Sequence, residues 1–212
     1  RFTNATLIAH YNKCSDINAE RDETRIAWDA ALNRHVSTER GLQPNTFLIG
    51  DLNVAPKPRD AQVGPNDGTF PSTRNHERED FQRLLDTNAM EDAQGALDKA
   101  PLPTWSSGGR QGLRTATGEP YTMRLDLAIA PRSRIGRGEP DGGPRVASVV
   151  RDPDKHRSDH WPVHIYFRED GRHLAKMTKG RQEEKRDNIL VTPNKPQKKP
   201  ADEREDFPML NA

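Results

Sequence analysis

The stretch that most constrains the fold is Thr46-Phe47-Leu48-Ile49-Gly50. A short continuous apolar run bounded by turn residues reads as a buried strand, not as one face of an amphipathic helix. It stops at Asp51-Leu52-Asn53, with Pro56 and Pro58 just beyond. A buried strand that ends on polar residues presents them at the edge of a sheet. Whatever covers this strand must come from a chain with little apolar material. Only 32% of the 212 residues are hydrophobic, 31% are charged, and the mean hydropathy is −1.00. Either a small core is heavily decorated or part of the chain stays unfolded.

Other elements follow from periodicity. Thr6–Tyr11 reads as a strand, and Asn18–Val36 as a helix with Trp28, Leu32 and Val36 on its buried face. Asp16 or Asn18 is the expected cap, with Gly41 soon after the end. Residues 55–75, rich in Gly, Pro, Asp and Asn, read as a long loop. Glu77–Thr87 reads as a short amphipathic helix on Phe81, Leu84 and Leu85. A short strand is expected at Thr104-Trp105-Ser106, before a Gly-rich hairpin loop. Arg124–Ala130 alternates, with Leu125, Leu127 and Ile129 on one face and Arg124, Asp126 and Ala128 on the other. Residues 131–144 read as a loop. Arg145–Val150 and Pro162–Phe167 complete the strands, with Ser158-Asp159-His160 between them.

The composition changes after Phe167. Residues 170–212 hold 18 charges and four Pro but one aromatic, so burial there cannot offset the entropy of ordering. The expected division is a folded part, 1–168, and a charged, disordered tail or linker, 169–212. No window approaches the ~20 apolar residues of a membrane-spanning helix. Cys14 is alone, which excludes an intrachain disulfide and a cysteine-based zinc site. A reducing, intracellular compartment, the nucleus included, fits that usage better than secretion. The chain starts at Arg1 with no visible signal peptide, which suggests a fragment. With 33 basic and 32 acidic residues, the net charge of +1 argues neither for nor against a nucleic-acid partner.

Three clusters carry candidate chemistry: Gly50-Asp51-Leu52-Asn53, Arg124-Leu125-Asp126 and Ser158-Asp159-His160. Each puts a carboxylate within reach of solvent or substrate. Phosphodiester hydrolysis needs an activated water, neutralisation of charge on the phosphoryl oxygens, and groups that orient both. Asp51 or Asp159 suits the role of base or of ligand to a hard dication such as Mg²⁺. Asn53 can donate an amide to a phosphate oxygen. His160 can stabilise charge while Asp126 fixes its tautomer. Taken singly each cluster reads as well as a turn, a surface strand or a chance dipeptide.

Their order along the chain is more specific. Leu48-Ile49-Gly50-Asp51-Leu52-Asn53-Val54-Ala55, Thr104-Trp105, Arg124-Leu125-Asp126 and Ser158-Asp159-His160-Trp161-Pro162-Val163 together resemble the endonuclease/exonuclease/phosphatase superfamily. The wording is most similar to exonuclease III-like apurinic/apyrimidinic endonucleases, over residues 5–168. Arg21–Leu32, with Trp28-Asp29, is similar to the helix that precedes their Gly-Asp-Leu-Asn strand. The resemblance implies an α/β sandwich, here a partial one, and metal-dependent cleavage of DNA phosphodiesters with Mg²⁺ or Mn²⁺. It implies that Asp51 orients or activates the water, Asn53 contacts phosphate, and Asp126 and His160 form a hydrogen-bonded pair at the scissile group. Asp159 matches a metal ligand and Tyr11 a tyrosine that touches phosphate. Trp105 matches an aromatic that contacts DNA, and Arg124, in the third motif, is a nucleic-acid contact. Trp105 as plain core and Tyr11 as a strand-edge residue are the structural alternatives. Trp28 reads as core, and Trp161 as packing.

The resemblance covers only a C-terminal half. The family's first half, with its metal-binding Glu, is expected as a partner in a longer protein, so this chain alone is expected to be inactive. Leu48, Leu125, Leu127, Ile129, Val163 and Ile165 would then line an uncovered face. A non-catalytic nucleic-acid-binding remnant is the competing reading. The retrotransposon type of endonuclease and an inositol or lipid phosphatase are more distant alternatives.

Overall fold

The computed structural model describes residues 4–18, 22–64, 67–108, 113–136, 143–152 and 158–168. The tail expected beyond residue 168 lies outside them. In order, the elements are β1 (Thr6–Tyr11), α1 (Glu23–Leu42), β2 (Thr46–Asp51), β3 (Ala61–Gln62), α2 (Asn75–Thr87), β4 (Met90–Asp92), α3 (Ala93–Leu97), β5 (Trp105–Ser106), β6 (Thr122–Met123), β7 (Asp126–Pro131), β8 (Arg145–Arg151) and β9 (Val163–Arg168). None of the helices among the described residues is long and apolar enough to cross a membrane.

The main sheet has the strand order β1-β2-β7-β4. β1 and β2 are parallel and joined by the α1 crossover, whereas β2 and β4 run antiparallel to β7. The apolar run of β2 is central because both of its faces are covered. Leu48, Leu127, Ile129 and Met90 meet Leu32 and Val36 of α1 and Phe81, Leu84 and Leu85 of α2. On the other face Phe47, Ala128 and Ala130 meet Ala93, Val146 and Val149, with Val163, Ile165 and Phe167 packed against them. Phe47 and Phe167 pack edge to face, their ring centres 5.1 Å apart. The alternation of β7 thus sorts large from small side chains, Leu127 and Ile129 towards the helices and the alanines towards the β8–β9 hairpin. Fold class is that of an α/β sandwich.

This arrangement corrects the expected uncovered face. Leu48, Leu127 and Ile129 are buried under α1 and α2, and Val163 and Ile165 lean on the opposite face of the sheet. Leu125 precedes β7 and belongs to a third cluster with Val63, Trp105, Tyr121 and Met123, built on the small sheet β3-β6-β5. Exposed apolar surface persists on β1, at Leu7 and Tyr11. β9 does not lie beside β2 and β7. It pairs with β8 in a separate hairpin, with a register shift between Val146 and Ser148.

α1 starts later than expected because Asp22, not Asp16 or Asn18, caps it, accepting from the Thr24 and Arg25 N–H groups. Gly41 falls inside the last turn, and Gln43 closes the helix through its N–H to Glu39. The buried line runs through Arg25, Leu32 and Val36, which leaves Trp28 on the flank of that face. Trp28 is 46% exposed, beside His10, so it is not the core residue its spacing suggested. Within the expected 55–75 loop sit a 3₁₀ turn at Pro58–Asp60 and the two-residue β3.

Candidate active site

Three strand ends meet at one edge of the sheet. In register, Tyr11 lies opposite Asp51 on the parallel side, and Asp126 lies opposite Asp51 on the antiparallel side. The last residue of β2 therefore faces the first residue of β7, so the two carboxylates share one edge. Gly50 allows this approach. Its φ is +140°, and a Cβ there would overlap the His10 carbonyl oxygen of β1.

His160 comes from the segment ahead of β9, which β5 holds through its backbone. The Ser106 N–H donates to the Asp159 carbonyl at 2.9 Å and the Trp161 N–H to the Thr104 carbonyl at 2.8 Å. Thr104 also fixes the neighbouring strand, since its Oγ1 accepts from the Leu125 and Asp126 N–H groups at 3.0 and 2.9 Å. The result is a short relay. His160 Nδ1 lies 2.8 Å from Asp126 Oδ2, and its Nε2 lies 3.9 Å from Asp51 Oδ2. The Asp126 carboxylate selects the tautomer with a proton on Nδ1, so Nε2 is the atom aimed at Asp51.

Both pKa values are raised, which favours the neutral acid at Asp51 and the imidazolium at His160. Burial, with the Asp126 charge adding to it, pushes the Asp51 carboxyl up to about 6, against the Asn53 N–H bond and the His160 and Arg25 charges. The hydrogen bond to Asp126 is the largest influence on His160 and raises its pKa above the usual 6.5, with the Asp126, Asp51 and Asp159 charges adding to it. A base poised near neutral pH beside a cationic ring suits proton transfer and charge stabilisation at one centre.

The structure gathers Asp51, Asn53, Asp126 and His160, with Asp159 beside them. Three expected roles change. Asn53 is buried, and its Nδ2 donates to the Asn12 carbonyl at 2.8 Å and to Asp51 Oδ2 at 3.2 Å. Its N–H groups are spent on the Asn12 carbonyl and on Asp51, which displaces the expected phosphate contact. Trp105 is 9% exposed, with its ring in the third cluster and its indole N–H on Asp159 Oδ2 at 3.1 Å. It orients a carboxylate and is not an aromatic offered to DNA. Arg124 is 1% exposed, and its guanidinium is shared between Asp60 and Asp92 at 2.6–3.2 Å. A guanidinium so enclosed cannot contact nucleic acid; it ties the 3₁₀ turn to β4. Tyr11 stands at the end of β1, 67% exposed. Thr104, Asn12, Arg25 and Asp29 carry the site's geometry, and sequence reasoning assigned them no role. Arg25 and Asp29 did leave a trace, an ion pair at helical i,i+4 spacing.

A cleft of about 390 Å³ opens beside the relay, lined among others by Ile49, Gly50, Asp126, His160, Trp161 and Val163. A somewhat larger cleft between α1 and α2, lined among others by Asn33, Arg34, Asp80 and Arg83, holds neither Asp51 nor His160. No group of three or more His, Cys, Asp or Glu among the described residues is arranged to hold a metal ion. The donors present, Asp159 with Asp51 and Asp126 nearby, supply carboxylate oxygens of the right hardness but not a complete ligand set.

Comparison with known proteins agrees with this architecture. No family model matches the chain, and no curated protein matches it in sequence. Among solved structures it is similar to the 3′-5′ exonuclease NExo from Neisseria meningitidis, at 21% identity and a TM-score of 0.60 over 78% of this chain and 62% of that one. It is similar at 18% identity to an AP endonuclease from Archaeoglobus fulgidus, with a TM-score of 0.58, 78% of this chain and 62% of that one covered. An AP endonuclease from Leishmania major matches at 16% identity and a TM-score of 0.58, over 77% of this chain and 50% of its own. The chain therefore shares the fold of these structures over the matched part. It spans about half to three-fifths of the length of these structures.

Proposed function

We propose that this chain supplies the nucleophile-activating half of a metal-assisted phosphodiester hydrolase that acts on DNA, in the manner of an apurinic/apyrimidinic endonuclease or exonuclease. The observation that carries the reading is the relay of Asp126, His160 and Asp51 at one sheet edge, with Asp51 raised to about 6. In this reading Asp51 orients a water and takes its proton, and its raised pKa keeps it a useful base near pH 7. His160, held by Asp126, stabilises the charge that builds on the phosphate. Asp159, steadied by the Trp105 indole, offers an oxygen to Mg²⁺ or Mn²⁺, which would neutralise phosphoryl oxygens when bound. Further ligands would come from an N-terminal half outside this chain. Exposed Tyr11 is placed to meet a phosphate on the outer strand. DNA as substrate fits an intracellular, nuclear setting.

The test is incision of duplex DNA carrying an abasic site by the chain joined to a complementary N-terminal half, with Mg²⁺. Activity that survives Asp51→Asn and His160→Ala would sink the reading. A non-catalytic DNA-binding role is the second reading, favoured by the incomplete ligand set. It predicts DNA binding that those two substitutions leave unchanged, with no cleavage in any form.

A further inference from the structure

Arg25 is among the most buried side chains of the protein, and it lies directly beneath the site. Its Nη1 donates to the Asn53 and Lys13 carbonyls at 2.7 and 2.8 Å, and its Nη2 donates to the Leu52 carbonyl at 3.0 Å. Its Nε donates to Asp29 Oδ2 at 2.8 Å. Asp29 Oδ1 in turn accepts from Asn12 Nδ2 at 2.6 Å. Asn12 then closes the circuit, since its carbonyl takes the Asn53 amide and its N–H donates to the Asp51 carbonyl at 2.8 Å. The turn so held is not a relaxed one. Asn53 has φ of +47°, a left-handed conformation that is uncommon outside glycine and that surrounding contacts must sustain.

We infer that Arg25 is a positioning residue for the site, a buried clamp that, with Asp29 and Asn12, locks the Asp51–Asn53 turn so that the Asn53 amide pins Asp51 towards His160. The guanidinium suits this because it directs donors to three carbonyls and a carboxylate at once, where an ammonium gathers its three donors on one atom. The Leu52 and Asn53 carbonyls that it holds belong to the turn that carries Asp51, which links the buried fork to the site. The clamp's consequence for catalysis rests on the function proposed above, whereas its effect on Asn53 does not.

The experiment is amide exchange in the 212-residue chain, read by NMR on the Asn53 side-chain NH₂, whose signal is identified by its loss in Asn53→Asp. Exchange in the native chain is expected to be at least ~10-fold slower than for an exposed asparagine such as Asn4. Arg25→Lys keeps the charge but not the fork, and it should bring that rate to within about twofold of the exposed value while the remaining backbone spectrum stays native. Arg74→Lys is the matched control, because Arg74 is also buried and bonds the carbonyls of Thr69, Asp16 and Ile17 but none in the turn. Slow Asn53 exchange retained in folded Arg25→Lys, or lost equally in Arg74→Lys, overturns the clamp. Should Arg25→Lys fail to fold, Asp29→Asn decides. It leaves the three carbonyl bonds in place but cannot accept from both Arg25 and Asn12, and unchanged Asn53 exchange there also overturns the clamp. In a form that cleaves DNA, Arg25→Lys should lower kcat about 100-fold at unchanged KM, the effect of a misplaced reacting group. If no form cleaves DNA, the proposed function fails and the exchange result still stands.

Discussion

Asp51 sits where its ionised form costs stability. Its pKa is raised from 3.8 to about 6, so between those values the folded chain binds more protons than the unfolded one. Stability therefore falls as pH rises through that window, by at most about 3 kcal/mol, and stays lower above it. Asp51→Asn keeps an acceptor for the Asn53 N–H and removes the charge. Denaturant titrations should find it more stable than the parent by about 1–3 kcal/mol at pH 7.5 and equal to it below pH 4. His160 works in the same sense, in a higher pH window. Its raised pKa gives stability that is fully present below 6.5 and is lost as pH rises through the folded value. Asp126→Asn removes the largest cause, so an NMR titration should show the His160 midpoint move down. An unmoved midpoint would mean that the 2.8 Å bond is not what sustains the imidazolium.

Among the elements, β5 has two residues yet secures the chemistry of its neighbours. Trp105→Phe keeps the ring in the third cluster and removes the bond to Asp159. It is expected to cost about 1 kcal/mol and to speed hydrogen exchange in the 158–161 segment. Arg124→Met is a harsher change, because Asp60 and Asp92 would remain without their shared cation. Thermal or denaturant unfolding should show a loss of about 3–5 kcal/mol. These elements also mark how far the sequence could be read. The β2 run and the alternation of β7 were legible because apolar period reports burial directly. β4 and α3 were not, since three and five residues are too few to show a period. Asp51, Asp126, Asp159 and His160 were legible as chemistry. Supports such as Arg25 were not, nor were the buried charges Glu77 and Arg124, because such residues sit where a hydropathy reading puts solvent. Each is buried by partners distant in sequence, such as Asp60 for Arg124 and Ser15 for Glu77. The same long-range pairing sets β9 against β8, and no local pattern announces it.

At the scale of the whole molecule, folding and activity separate. The main sheet is covered on both faces by the chain's own helices and hairpin, so the fold does not depend on a second half to bury Leu48, Leu127 or Ile129. Asp51, Asp126 and Asp159 surround a single His160, and no three ligating side chains among the described residues converge on a point where a dication would sit. In the proposed reaction, a hard ion held by so few protein oxygens would stay mostly hydrated and mobile and would neutralise the phosphoryl oxygens poorly. The 212-residue chain alone is therefore expected to fold, to melt cooperatively, and to cleave abasic-site DNA feebly or not at all with Mg²⁺ or Mn²⁺. Joined to a complementary first half, it should cleave, and Asp51→Asn in that longer protein should lower the rate by about 10²–10⁴, the usual worth of a positioned base. A gel assay of purified chain decides the matter. Robust metal-dependent incision by the chain alone, abolished by His160→Ala, would show that its own carboxylates complete the ion's coordination after all.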